Sequence, residues 1–128
     1  RSFSGVDAVR FKRVLHNIAR AVGPFFEDYD IYISPTLAKP PVKLGEIDTQ
    51  VADWSEFFGH MFEFMPFTSL FNVSGSAGVS LPIAWNDAGL PIGCQVITRM
   101  GRDALLRSLA AQIERAAPWI DRRPPVCG

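Results

Sequence analysis

At 128 residues the chain has the length of one ordinary domain, enough to bury a core and too little for two developed ones. Hydrophobic residues make up 48% of it and charged residues 20%, which excludes a disordered tail or a fibrous repeat. Thirteen Lys and Arg balance thirteen Asp and Glu, so no net field draws in nucleic acid or an anionic membrane, and neither is expected as a partner.

Phe11, Val14, Leu15, Ile18, Ala19 and Val22 recur at steps of three and four, which predicts an amphipathic helix from about Asp7 to Val22 with Ser4 as its cap. Gly23-Pro24 end or kink it before Phe25 and Phe26. The β-branched and aromatic run Tyr29 to Ser34 (YDIYIS) predicts a short strand that stops at Pro35. Pro35 to Gln50, rich in proline and without apolar period, reads as a long loop. Trp54, Phe57, Phe58, Met61, Phe62 and Met65 restore helical spacing over about Val51 to Phe64. The phenylalanines at 57, 58, 62, 64, 67 and 71 carry more apolar surface than one small-domain helix covers with its own chain. A polar turn at Asn72 to Gly75 leads into a strand over Val79 to Trp85, where Pro82 implies an edge position or a bulge. Asn86 to Gly89 supplies a hairpin turn, Pro91 to Thr98 the returning strand. A last helix opens at Gly101 and Asp103, with Leu105, Leu106, Leu109, Ala110, Ile113 and Ala117 as its buried stripe, and ends at Pro118. Trp119 and Ile120 are the expected anchors of a polar tail. The result is an α/β fold of about three helices and three short strands.

No apolar run approaches the roughly 18 residues needed to span a bilayer, and the first twenty residues lack a secretory pattern, so a soluble, cytoplasmic location is expected. Cys94 and Cys127 are too few for a disulfide framework and too far apart for a zinc pair; one reads as buried filler, the other as a tail residue. The chain opens at Arg1, not Met, in what reads as the approach to a helix, so a piece of something longer is expected.

A catalytic centre needs a nucleophile, base or metal beside a group that activates it. His16 and His60 have no ligand-like or base-like spacing around them, and a structural or exposed role is expected for each. Ser74-Gly75-Ser76-Ala77-Gly78 resembles the G-x-S-x-G nucleophile elbow only superficially. Ser74 stands where the first glycine belongs, and a strand follows where a helix should. A glycine-dependent turn is expected, with Asn72 and Ser74 bonded to nearby backbone. Asn72-Val73-Ser74 also matches a glycosylation acceptor, without the secretory signal that would give it meaning. Cys94 lacks a neighbouring base; Asp28, Asp30, Glu46 and Asp48 read as turn acids; Arg122-Arg123 reads as a solvated tail more than a phosphate clamp. The residues alone therefore give a soluble α/β domain without a complete reactive constellation.

Three stretches, YDIYISPTLAKPP at Tyr29 to Pro41, FTSLFNVSGSAGVSLP at Phe67 to Pro82 and GLPIGCQVI at Gly89 to Ile97, together resemble the C-terminal part of the amidase signature family. The ending LLRSLAAQIERAAPWIDRRPP strengthens the likeness, which covers nearly the whole chain. The resemblance implies a mixed β-sheet flanked by helices. It also implies an amide hydrolase acting on small or linear amides, a 6-aminohexanoate cyclic dimer among them, by acyl transfer through a Ser, a cis-Ser and a Lys, without metal or organic cofactor. Lys12, Lys39 and Lys43 do not fall in the family's catalytic motif, and there is no G-G-S-S-G run, so no catalytic residue carries over. The chain is then expected to be a C-terminal segment, residues 1–128, of an amidase domain whose catalytic part is absent, and to be inactive alone. The likeness puts the aromatic stretch and the turn after it toward substrate, with Phe64, Phe67, Thr68 and Asn72 as candidate pocket lining. The competing expectation is that Phe64 and Phe67 fill core and Asn72 ties the turn. Family members commonly carry Gly-x-Pro-Ala where this chain has Gly75-Ser76-Ala77-Gly78.

Two other classes of function stay open. The Trp54 to Phe71 surface could dimerise a non-catalytic scaffold, giving a homo-oligomer through an exposed aromatic face. A small enzyme could instead rely on Cys94 or His60.

Overall fold

The computed structural model describes residues 3–123. Arg1, Cys127 and the Pro124-Pro125 pair lie outside them, and the expectations attached to those residues go with them.

Helix α1 (Gly5–Val22) starts where its sequence provides a reciprocal cap: the Asp7 N–H donates to Ser4 Oγ at 3.2 Å, and the Ser4 N–H donates to Asp7 Oδ2 at 3.0 Å. The Ser4 hydroxyl and then its N–H, both donating to the Asp7 carboxylate, hold that carboxyl below its usual range. Of the predicted apolar stripe, Val22 packs on the buried cluster and Leu15, Ile18 and Ala19 are half-buried, whereas Phe11 and Val14 remain 64% and 53% exposed. Gly23 ends the helix, and Pro24 at once starts a second, one-turn helix, α2 (Phe25–Asp28), which buries Phe26. Phe25 stacks on Tyr29 at 4.8 Å, which keeps Tyr29 with α2 and delays strand β1 to Tyr32–Pro35, three residues later than its β propensity suggests.

Residues 36–53 form neither helix nor strand. Helix α3 (Trp54–Phe64) begins after Asp53, whose carboxylate accepts both the N–H and the hydroxyl of Ser55 at 2.8 Å. This cap explains why the helix starts three residues later than the apolar spacing alone predicts. The Ser55 hydroxyl, then its N–H, pulls the Asp53 carboxyl below its ordinary pKa as well. Both caps depend on ionised carboxylates with depressed folded-state pKa values. Their contribution is present above about pH 4 and is lost as pH falls through the lower folded values. Amide exchange at the first turns of α1 and α3 is expected to accelerate in strong acid before the sheet opens. Unchanged first-turn protection there would show that the carboxylates do not hold the caps.

The turn expected at Asn72 to Gly75 is the end of a further short helix, α4 (Ser69–Ser74), closed by Gly75 in the left-handed region at φ 69°. Strand β2 (Ala77–Trp85) and strand β3 (Pro91–Thr98) form the expected hairpin. In its turn Asn86 Oδ1 accepts the N–H groups of Ala88 and Leu90. The sheet order is β1-β3-β2 with both pairings antiparallel, so β2 is an edge. Its register also shifts between Pro82 and Ala84, so Pro82 satisfies both halves of its expectation. Helix α5 (Asp103–Ala116) follows, giving three longer helices and two short ones around three strands among the described residues.

Strand alternation sorts the sheet's two faces. On one, Leu81, Val96 and Leu106 form a buried cluster joined by Ile31, Cys94, Leu109, Ala110, Ile113 and Trp119, so α5 docks there along most of its predicted stripe. Ala117 is exposed instead, because α5 ends before it. Trp119 anchors the tail, Ile120 does not at 68% exposed, and Arg122 lies over the Trp85 ring at 4.2 Å, a cation-π contact where a free tail was expected. On the opposite face Phe26, Phe71 and Ile97 are buried together, with Val22 and Tyr32 packed on them.

Candidate functional site

The face of the sheet turned toward α4 carries a polar row. Register places Ser34 of β1 opposite Gln95 of β3, and Gln95 opposite Ser80 of β2, so three neutral polar side chains cross the sheet in line. Each sits at an alternate position among apolar residues, which sends it to the same side. Beyond Ser34 the chain leaves the strand at Thr36, whose hydroxyl lies 2.6 Å from the Ser80 hydroxyl. That approach passes over Gly93, where an added Cβ would stand 2.9 Å from both hydroxyl oxygens.

Above this row opens a cleft of about 360 Å³ lined by Thr36, Ser80, Gln95, Thr68, Asn72 and Ser76, with Phe71, Ile97, Val79 and Gly78 as its apolar walls. Helix α4 supplies one side. Ser76 is held at the rim by a 2.7 Å contact between its hydroxyl and that of Ser74, which also donates to the Phe71 carbonyl. Thr98, at the end of β3, ties the strand to the chain before β1 by donating to the Asp30 carbonyl at 2.8 Å.

Every polar group lining the cleft is a hydroxyl or a carboxamide, and no charged side chain is among them. Such a lining hydrogen-bonds a neutral polar molecule on both its donor and acceptor sides and supplies no full charge to pair with an ion. It has hydroxyls, and none of its lining side chains is a base. A wider depression of about 680 Å³ between α1, α2 and Met100 shares Ser76 but is bordered by Arg20, Glu27 and Arg99 on the open surface.

Of the residues expected to face substrate, Thr68 and Asn72 line this cleft. The Asn72 carboxamide has no hydrogen-bond partner among the described residues, so it does not tie the turn; Ser74 does. Phe64 and Phe67 are half-buried and contribute backbone: the Phe64 carbonyl accepts the Ala38 N–H at 3.0 Å, and the Phe67 carbonyl lies 3.5 Å from Gln95 Nε2. Sequence reasoning missed Ser34, Thr36, Ser80 and Gln95. Their signal was present: Ser80 is the sole hydroxyl of its strand and Gln95 the sole carboxamide, each placed where period two demanded a face.

The other reactive residues stand apart from one another. His16 and His60 are exposed on α1 and α3. Lys39 pairs with Glu63 at 2.7 Å, holding the loop to the end of α3 and drawing the Glu63 carboxyl down through that hydrogen bond and its charge. Glu46 accepts the Lys43 N–H and Asp48 the Gln50 N–H, as turn acids do. Burial raises the Cys94 pKa, and the side chain packs within the α5 cluster as the filler expected of it. No group of three or more His, Cys, Asp and Glu among the described residues could hold a metal ion, and no helix there is long and apolar enough to cross a membrane.

Comparison with known proteins gives a consistent likeness. A family model described as Amidase matches residues 7–106. The 6-aminohexanoate-cyclic-dimer hydrolase of Paenarthrobacter ureafaciens is 38% identical over 102 residues, 75% of this chain and 20% of that protein. An acylamidase of Rhodococcus erythropolis is 28% identical over 121 residues, 94% of this chain and 25% of its own. A solved structure of 6-aminohexanoate cyclic dimer hydrolase complexed with substrate superposes with a TM-score of 0.87 at 34% identity, over 97% of this chain and 27% of that one. The chain thus spans a fifth to a quarter of the length of the curated relatives it matches.

Proposed function

The chain belongs to the amidase family, and from that premise we propose that it forms a substrate-holding wall of an amide-hydrolysing enzyme whose reactive serines and lysine lie outside these residues. On this reading residues 1–128 are the C-terminal segment of an amidase domain, and the substrate is a small or linear amide of the 6-aminohexanoate cyclic dimer kind. The observation that carries it is the neutral row Ser34–Gln95–Ser80 under Thr68 and Asn72. An amide is uncharged, presents one strong acceptor and commonly one donor, and is matched by hydroxyls and carboxamides. Acyl transfer would be performed by a serine activated elsewhere, with this wall fixing the amide against it. Supporting this division of labour, the cleft holds hydroxyls without a base, and the relatives are four to five times longer than the matched segment.

The test is to assay this segment alone and the same segment within a polypeptide of the relatives' length, on the cyclic dimer and on linear amides. Turnover is expected only from the longer chain. Hydrolysis by the 128 residues alone would overturn the proposal.

A second reading rests on α3. Trp54, Phe58 and Phe62 fall one turn apart on one helix face and remain 58%, 44% and 52% exposed, a stripe suited to a second copy in a non-catalytic dimer. Sedimentation separates the two: a discrete dimer lost in Phe58→Glu, with no amide turnover by the longer polypeptide, favours the scaffold.

A further inference from the structure

We infer that Gln95 is the specificity-determining residue of the cleft, its carboxamide oxygen accepting a hydrogen bond from an N–H of the substrate; this rests on the amide-holding role proposed above. Gln95 is 7% exposed, one of few buried polar residues, and lies at the centre of the polar row. Its orientation is fixed by its neighbours. Nε2 donates to Ser34 Oγ at 3.2 Å and points at the Phe67 carbonyl at 3.5 Å. A carbonyl can only accept, and the Ser34 hydroxyl already spends its proton on the Pro35 carbonyl at 3.1 Å, so both partners require the nitrogen end. The oxygen end is thereby turned the other way.

No donor from the described residues reaches that oxygen. Nor is any side-chain oxygen or nitrogen among them both buried and without a partner, so the Gln95 oxygen is not sealed off, and on this inference it faces the cleft that Gln95 lines. A fixed acceptor in a neutral pocket selects for a donor. A secondary amide supplies an N–H there, whereas the same amide carrying an N-methyl group leaves the oxygen unpaired and adds a methyl against it. The same residue anchors the Phe67 carbonyl immediately before Thr68, so the acceptor and the α4 wall are set by one side chain.

The experiment uses the longer polypeptide with a secondary amide and its N-methylated counterpart. The unmodified protein is expected to prefer the secondary amide by about tenfold or more in KM, the size of one net hydrogen bond. Gln95→Met, which keeps length and bulk but cannot accept, is expected to bring that ratio close to one. A purely structural role would weaken both substrates equally and leave the ratio unchanged, which overturns the inference. Should Gln95→Met fail to fold, Ser34→Ala, which frees the carboxamide to turn, is expected to reduce the ratio part-way; an unchanged ratio there overturns it equally. If the unmodified protein hydrolyses neither amide, the hydrolytic reading fails by itself. Calorimetric binding of the two amides then decides Gln95 separately, equal affinities counting against it.

Discussion

Leu106→Ala is expected to cost about 2–5 kcal/mol of stability, the range for removing a buried leucine that leaves a cavity. Leu106 is 5% exposed and is the residue of α5 that enters the buried cluster with Leu81 and Val96. Those two belong to β2 and β3 on the face away from the cleft, so Leu106 joins the helix to both strands of the hairpin at the centre of the cluster. The surrounding side chains come from regular strands held in register and have little freedom to collapse into the space. Urea unfolding of the variant beside the parent measures the loss as a shift in midpoint at constant slope. A shift below about 1 kcal/mol would mean that α5 is held by something other than this cluster. Leu105→Ala, one residue away and only half-buried, is the control and is expected to shift the midpoint less.

The elements that proved legible in the sequence are those whose period is long and unbroken. α5 shows a stripe of Leu, Ala and Ile from Leu105 to Ile113, and the β2–β3 hairpin shows two apolar strands around Asn86 to Gly89; both lie within a residue or two of expectation. The boundaries that moved were moved by side-chain hydrogen bonds and ring stacking, as at Asp53 for α3 and at Phe25 with Tyr29 for β1. The two short helices were invisible because four and six residues cannot display a 3.6-residue period. The stripe on α1 was read correctly as amphipathic, yet amphipathicity names a face and not its cover, and Phe11 and Val14 stay exposed. Half of the cleft was legible for a different reason. Thr68 and Asn72 came from the family likeness, which transfers position. Ser80 and Gln95 sit on the two strands of the predicted hairpin, but Ser34 joins them only because β1 pairs with β3 across some sixty residues of sequence, a register no local pattern contains.

The clearest dissection of that register is Gly93. Its carbonyl accepts the Thr36 N–H at 2.9 Å, continuing the β1–β3 ladder past the end of β1, and its missing side chain lets Thr36 and Ser80 meet at 2.6 Å. A Cβ at 93 would lie 2.9 Å from Ser80 Oγ and Thr36 Oγ1, and 3.1 Å from Thr36 Cβ. Ser80 can rotate its hydroxyl away at little cost. Thr36 cannot follow as easily, because its branched side chain is stiff at χ1 and the obstructed atom is the branch point itself. Gly93→Ala is therefore expected to break the hydroxyl pair at about 1–3 kcal/mol in stability, the usual cost of overfilling a packed site. Gly93→Val adds two further methyl groups beneath Thr36 and Ser80, which line the cleft, and is expected to lower amide turnover by the longer polypeptide about a hundredfold, the effect of displacing a held substrate by about an ångström. Because the α5 cluster lies on the other face, the unfolding midpoint should fall less for Gly93→Ala than for Leu106→Ala while substrate affinity falls more. The opposite ordering, with binding intact in both glycine variants, would separate this cleft from the substrate and leave the polar row as a structural seam between strands.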